Sequence, residues 1–341
     1  MLKSMFLTPF VFLFAAVAAA QSYTITDLGS FGGPNGSIAM ALNDAGKVTG
    51  WASKGFDGLV PFLWSQNKGL QSLGTLGGNQ GFGLSINVTG QTVGWCNNAG
   101  FTKRAFLWQP TAGMQDLGTL GGFSSQASGV NTFGQIAGWS FRADGATHAF
   151  LIASGTVMQD IGTLGGTFSQ ATGINDSTQV VGMSTTAKGH NEAFLWSQTK
   201  GMQDLGTLGG SGSGALAINA NGRVVGSSLI TGDLATHAFL WSTSRGMQDL
   251  GVLSAGNTSR ADAINASSSI VGTSTTSGQI SYHAFLWTAA GGMQDLNNLI
   301  PAGTDWTLIE AYGINKSGQV IGYGGRSDGI DHAFLLTPIK R

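Results

Sequence analysis

Short apolar runs return along this chain at a fixed spacing, each flanked by glycine and polar residues. Ala-Phe-Leu-Trp at 193–196 is one of them, and its phenylalanine, Phe194, has counterparts at Phe62, Phe106, Phe150, Phe239, Phe285 and Phe334. Apolar side chains at consecutive positions in runs this short predict strands buried on both faces. A second mark is an Asn that follows an apolar pair: Asn43, Asn87, Asn131, Asn175, Asn219, Asn265 and Asn315. Seven residues after each stands a Gly (Gly50, Gly94, Gly138, Gly182, Gly226, Gly272 and Gly322), and that interval never varies. Ten residues after the first six phenylalanines comes the position of Ser72, Asp116, Asp160, Asp204, Asp249 and Asp295. The chain is therefore seven copies of one unit of about 44 residues.

Each unit reads as four short strands; in the fourth they are expected at 171–175, 179–184, 192–196 and 202–208. The Asn-led turn between the first two, and a Lys-Gly or Arg-Gly pair before the last, are hairpin signals. Small antiparallel sheets covered on both faces by copies of themselves are the blades of a β-propeller. The chain begins with an unaccompanied fourth-type strand at 23–28 and stops after a third-type strand at 332–336. Those pieces complete one unit between them and leave no open edge. The expected fold is all-β: a seven-bladed β-propeller with four antiparallel strands per blade, its ring closed by the N-terminal strand joining the last blade.

The triplets His148-Ala149-Phe150, His237-Ala238-Phe239, His283-Ala284-Phe285 and His332-Ala333-Phe334 recur in register with Asp-Leu-Gly-Thr-Leu-Gly-Gly phrases. In this the chain resembles the bacterial extracellular HAF-repeat family over essentially its whole length after residue 20. The resemblance implies an exported repeat protein. Units one, two and four depart from the triplet, with Val60, Arg104 and Glu192 in the His position.

Residues 1–20 independently read as an export signal: Lys3 supplies charge, Phe6 to Val17 an apolar stretch, and Ala18-Ala19-Ala20 a cleavage site. The expected product is secreted, to the medium, periplasm or cell surface, with residues 21–341 as a single domain. A formal net charge of −1 offers no electrostatic basis for nucleic acid, and no stretch is long and apolar enough to span a membrane. The single cysteine, Cys96, rules out an internal disulfide and reads as a small strand residue, since Ala52 and Ser140 hold its position elsewhere. Four of the five histidines sit one or more whole units apart, without metal-ligand spacing. Each is expected to bond the Asp of the neighbouring strand. Val60 with Ser72 lacks both partners, and Glu192 beside Asp204 breaks the rule. No nucleophile elbow, phosphate loop or calcium loop is present. No metal or cofactor is expected, a glycan or an extracellular protein is the expected partner, and the protein itself should be a monomer.

The informative part is where the repeat varies. In an up-and-down meander the connections after strands one and three share one face, and those after two and four the other. The first face has nearly constant turns; the second holds every length change, including the insertion at 297–311. It also takes nine of the 17 acids: Asp57, Asp144, Glu192, Asp233, Asp262, Asp305, Glu310, Asp328 and Asp331. The residue after the strand-two glycine is Trp51, Trp95, Trp139, Met183, Ser227, Thr273 and Tyr323 in turn. With the ring closed, Tyr323, Trp51, Trp95 and Trp139 form one aromatic arc near that face, with Asp305 and Trp306 close by. Packing between blades is the competing account of these aromatics. The first functional expectation is a non-catalytic module binding a glycan or an extracellular protein through Trp51, Trp95, Trp139, Tyr323, Asp305 and Trp306. The alternatives are a hydrolase or lyase with its site in the funnel of that face, for which Asp305 and Glu310 are the local carboxylates, and a structural surface or matrix component.

Overall fold

The computed structural model describes residues 22–56, 58–153, 157–276 and 281–339; the expected export signal and Asp57 lie outside them. Strands hydrogen-bond antiparallel in groups of four, which in the fourth unit are Gly165–Ile174, Val180–Thr186, Asn191–Ser197 and Gly201–Asp204. Two pairs of adjacent groups touch through single parallel bridges, Leu59 to Gln80 and Thr147 to Phe168. The N-terminal strand Tyr23–Asp27 pairs antiparallel with Asp331–Pro338, Tyr23 facing Pro338 and Asp27 facing Phe334. The architecture is all-β and propeller-like. Two single-turn 3-10 segments, Thr231–Asp233 and Leu296–Asn298, are the only helical pieces among the described residues.

The strand boundaries differ from expectation in one systematic way. In units two to five the first strand begins at the Gly-Gly pair, about six residues earlier than expected in the fourth unit, and the fourth strand stops at the Asp of Asp-Leu-Gly. Asp204 shows why: its Oδ1 accepts the amide of Gly206 at 2.8 Å, and Gly206 turns the chain at φ +76°. That local bond competes with the ladder and ends the strand.

The invariant Asn serves two neighbours at once. The Oδ1 of Asn175 accepts the amides of Ser177 and Gln179, both at 3.0 Å, closing its own turn. Its Nδ2 donates to the carbonyl of Asn219 in the next unit at 3.1 Å. The same forward bond runs from Asn43 to Asn87, to Asn131, to Asn175, and from Asn219 to Asn265 to Asn315. Asn315 then donates to Asn43 at 3.2 Å, so the chain of amides is a closed cycle.

Each unit's core centres on its phenylalanine. Phe62, Phe106, Phe150, Phe194, Phe239, Phe285 and Phe334 are all fully buried. The Gly opposite is required by close approach: a Cβ on Gly138 would stand 2.0 Å from the Gln126 carbonyl and 2.8 Å from the Phe150 ring. Serines staple one unit to the next. Ser169 accepts the Ala149 amide of the preceding unit at 2.8 Å and donates to the Gly162 carbonyl at 2.6 Å. Ser37 does the same for Ala333, across the junction of the chain's two ends.

On the outer strands His148–Asp160, His237–Asp249, His283–Asp295 and His332–Asp27 pair at 2.6–2.9 Å. Arg104 replaces His with a 3.5 Å contact to Asp116. In unit four, partial burial and a hydrogen bond with the neighbouring Asp204 that favours the protonated form push the Glu192 carboxyl above its usual range. Cys96 is buried, and that burial raises its thiol to about 12.

Candidate active site in the central channel

The first strand of every unit is the innermost, because residues of these strands line a central channel. At one end the channel is ringed by the Asn cycle, enclosing about 280 Å³. The other end lies on the face with the variable connections. Alternation along a strand places residues i and i+2 on one side, so each first strand presents two side chains in succession toward this end and the channel. Most are uncharged: Met40, Leu84, Ser128, Thr172 and Leu216 occupy the deeper position in five units. In the last two units the strands Ser259–Ile264 and Thr307–Ile314 instead present Arg260 with Asp262 and Glu310 with Tyr312.

These four polar residues form one network. Arg260 Nε donates to Asp262 Oδ1 at 2.8 Å, and its Nη2 donates to Glu310 Oε1. The Tyr312 hydroxyl donates to Glu310 Oε2 at 2.7 Å, and Tyr323 stacks on Tyr312 with centroids 6.1 Å apart. Asp262 Oδ2 is buried without a hydrogen-bond partner. Burial raises the Asp262 carboxyl to about 7, with Arg260 opposing the rise and Glu310 adding to it. Burial also raises the Tyr312 phenol, with Glu310 adding to the effect. For Arg260, burial works against the charge, but Asp262 and Glu310 outweigh it and hold the guanidinium protonated.

Beside this network lies a cavity of about 420 Å³ that shares Thr172 and Leu216 with the channel. It exists because unit five contributes only Gly214 and Ser227 at the facing register pair where unit two has Phe82 and Trp95. Gln170, Met183 and Asn191 form one wall and Arg260 the other.

The expected aromatic arc is brought together, but as packing. Phe82 stacks on Trp95 at 4.6 Å and tilts against Trp51 at 5.4 Å. Lys103 Nζ lies 4.4 Å from the Trp95 ring and 4.8 Å from the Trp139 ring, donating to Gln126 Oε1 at 2.7 Å. Burial there lowers the Lys103 amine to about 8. Trp51, Trp95 and Trp139 are each only partly exposed. Tyr323 belongs to the channel network. Asp305 and Trp306 belong elsewhere: Asp305 bonds Arg326, and Trp306 packs edge-on against His332 and Phe334. The pair Asp305 and Glu310 is therefore separated into different ion pairs. Asp262, counted by sequence among the acids of the variable face, is the carboxylate that joins Glu310. Among the described residues no group of three or more His, Cys, Asp or Glu is placed to hold a metal ion, and no helix is long and apolar enough to cross a membrane.

No family model and no curated protein matches the chain. Solved structures do. Puromycin hydrolase is similar with a TM-score of 0.58 at 12% identity, over 89% of this chain and 51% of that one. The β-propeller domain of the Trilobed protease from Pyrococcus furiosus gives 0.55 at 9%, over 94% and 98%. The BP39L lectin from Burkholderia pseudomallei gives 0.52 at 9%, over 94% and 98%. At these identities the likeness shows the propeller-like fold alone. The expectation of a non-catalytic binding module is nevertheless corrected. Propellers of this shape occur in a hydrolase and a protease, and Trp51, Trp95 and Trp139 pack with Phe82, Phe141 and Lys103, whereas the channel holds a buried acid with a free oxygen.

Proposed function

We propose that this chain is an exported seven-bladed β-propeller hydrolase whose proton-transfer group is Asp262, reached through the cavity between Gln170 and Arg260. The blade count is supported by the closed cycle of seven side-chain amides and by the pairing of the first strand with the last. Export is supported by the sequence of residues 1–20. The observation that carries the activity is Asp262 itself. A buried carboxyl oxygen without a partner is costly and uncommon, and a carboxyl raised to about 7 exchanges its proton at neutral pH. In its protonated form Asp262 donates to a leaving oxygen or nitrogen. Once ionised it accepts the proton of the attacking water. Arg260 presents its remaining guanidinium edge to the cavity, where it neutralises charge developing on the substrate. Glu310, fixed by Tyr312, holds Arg260 in place.

The test is a panel of chromogenic glycosides, esters and amides assayed with the natural chain and with Asp262→Asn. The reading requires turnover of at least one substrate class, falling about 100-fold or more in the variant, with a limb of the pH profile near 7. Undiminished turnover in Asp262→Asn at unchanged stability overturns it.

A further inference from the structure

A second constellation lies on the outer part of unit six, away from the channel network. The four His–Asp pairs share one design, and that of unit six shares a cavity with a serine. His283 Nδ1 bonds Asp295 at 2.6 Å, and His283, Asp295 and Ser254 all line one cavity of about 580 Å³. The register explains their proximity. The amide of Leu253 bonds Ser274 Oγ at 3.0 Å, and Ser274 stands directly opposite His283 in the sheet. Ser254, the next residue, is thereby carried to the side of the sheet on which the imidazole sits.

The sequence departs from the common repeat at this point. Where other units have a Gly-Gly pair, such as Gly165-Gly166 and Gly209-Gly210, unit six has Ser254-Ala255-Gly256. The Gly256 amide bonds the Leu253 carbonyl at 2.9 Å, and Ala255 is held at φ +61°, a turn position that ordinarily takes glycine. Strain of this kind is kept where surrounding contacts fix a particular side chain in place. Ser254 is exposed, and neither its hydroxyl nor His283 Nε2 has a hydrogen-bond partner among the described residues. By contrast, His332 Nε2 is taken by Asp328 at 2.9 Å.

We propose that Ser254, His283 and Asp295 form a nucleophilic triad acting on short-chain acyl esters, independent of the channel site. Ser254 Oγ attacks the ester carbonyl carbon while its proton passes to His283 Nε2. The bond to the alcohol oxygen breaks, and the alcohol leaves with that proton. Water then attacks the acyl-serine, giving its proton to His283, and the acid departs as Ser254 Oγ takes the proton back. Asp295 holds the imidazole with Nε2 toward the cavity. Leu253, Met293 and Leu299 supply the apolar wall for the acyl chain, and Asn298 a polar group beside it.

The full chain is treated with an alkyl fluorophosphonate, which phosphonylates an activated serine and releases fluoride, and the adduct is located by peptide mass spectrometry. One adduct, on Ser254, is expected, absent in Ser254→Ala and formed about 100-fold more slowly in His283→Gln. That variant keeps a donor toward Asp295, and melting curves verify its fold. His237→Gln, the same pair without a facing serine, should label at the natural rate, as should Asp262→Asn, which separates this proposal from the channel reading. No adduct, an adduct elsewhere, or labelling indifferent to His283 overturns it.

Discussion

Two sides of the channel mouth use one backbone to opposite ends. In units one to three the paired register positions carry Trp51, Phe82 with Trp95, and Gln126 with Trp139, and Lys103 wedges between the rings. In units four to six the same positions carry Gln170 with Met183, Gly214 with Ser227, and Arg260 with Thr273. The first side is filled; the second is open, with Arg260 in its wall. Side-chain volume at two register positions therefore decides where a solute can enter. Conspicuous aromatics mark the plug, and the residues that make the opening are small ones.

The comparison is broken most severely from the filled side. Trp95→Ala removes the ring stacked on Phe82 and lying against Lys103, and should destabilise by about 3 kcal/mol, the lower end for such truncations because the indole is partly exposed. Chemical denaturation reads it. On the open side, Met183→Ala should cost about 2 kcal/mol or less, since its neighbours already leave a cavity. Arg260→Ala strands Asp262 and Glu310, with an expected loss of about 2–3 kcal/mol, reduced from that of a fully buried pair because the guanidinium keeps contact with water.

The pH dependence is next in size. A carboxyl raised in the folded state binds protons that the unfolded chain has released. The Asp262 contribution is therefore most favourable below about pH 4 and is lost as pH rises through about 7. Stability measured across that window should fall with pH, and Asp262→Asn should flatten the slope. The smallest stability change is expected for Ser227→Trp, which copies the filled side onto the open one. It should shift the denaturation midpoint little while abolishing turnover at Asp262.

Much of the scaffold was legible because its causes are local and repeat. The Asn turn, the Gly that clears space for the Phe ring, and the divided unit at the two ends each follow from a residue type at a fixed interval. The His–Asp pairing could be read the same way. The innermost strand could not, since the turn parity that assigns connections to faces holds for either direction of packing. Nor could the serine staples, whose partners belong to adjacent units. The channel site was missed for a related reason. Asp262 was counted with the acids of the variable face, yet Arg260-Ala261-Asp262-Ala263 alternates like the Gln126-Ala127-Ser128 and Gln170-Ala171-Thr172 of sibling units. Charge at two positions that other units keep uncharged was the available signal. Trp and Tyr drew attention instead, because sequence gives their size but not whether a neighbouring unit fills the space around them.

The cycle of asparagine amides has no first or last member. A row of hydrogen bonds has loose ends, and removing one from it costs about the same wherever it is taken. A closed loop differs: its first interruption also releases the constraint that returns the last unit to the first, and later interruptions act on a row already open. The amides should thus behave as one clasp, with stability concentrated in whichever of them is lost first.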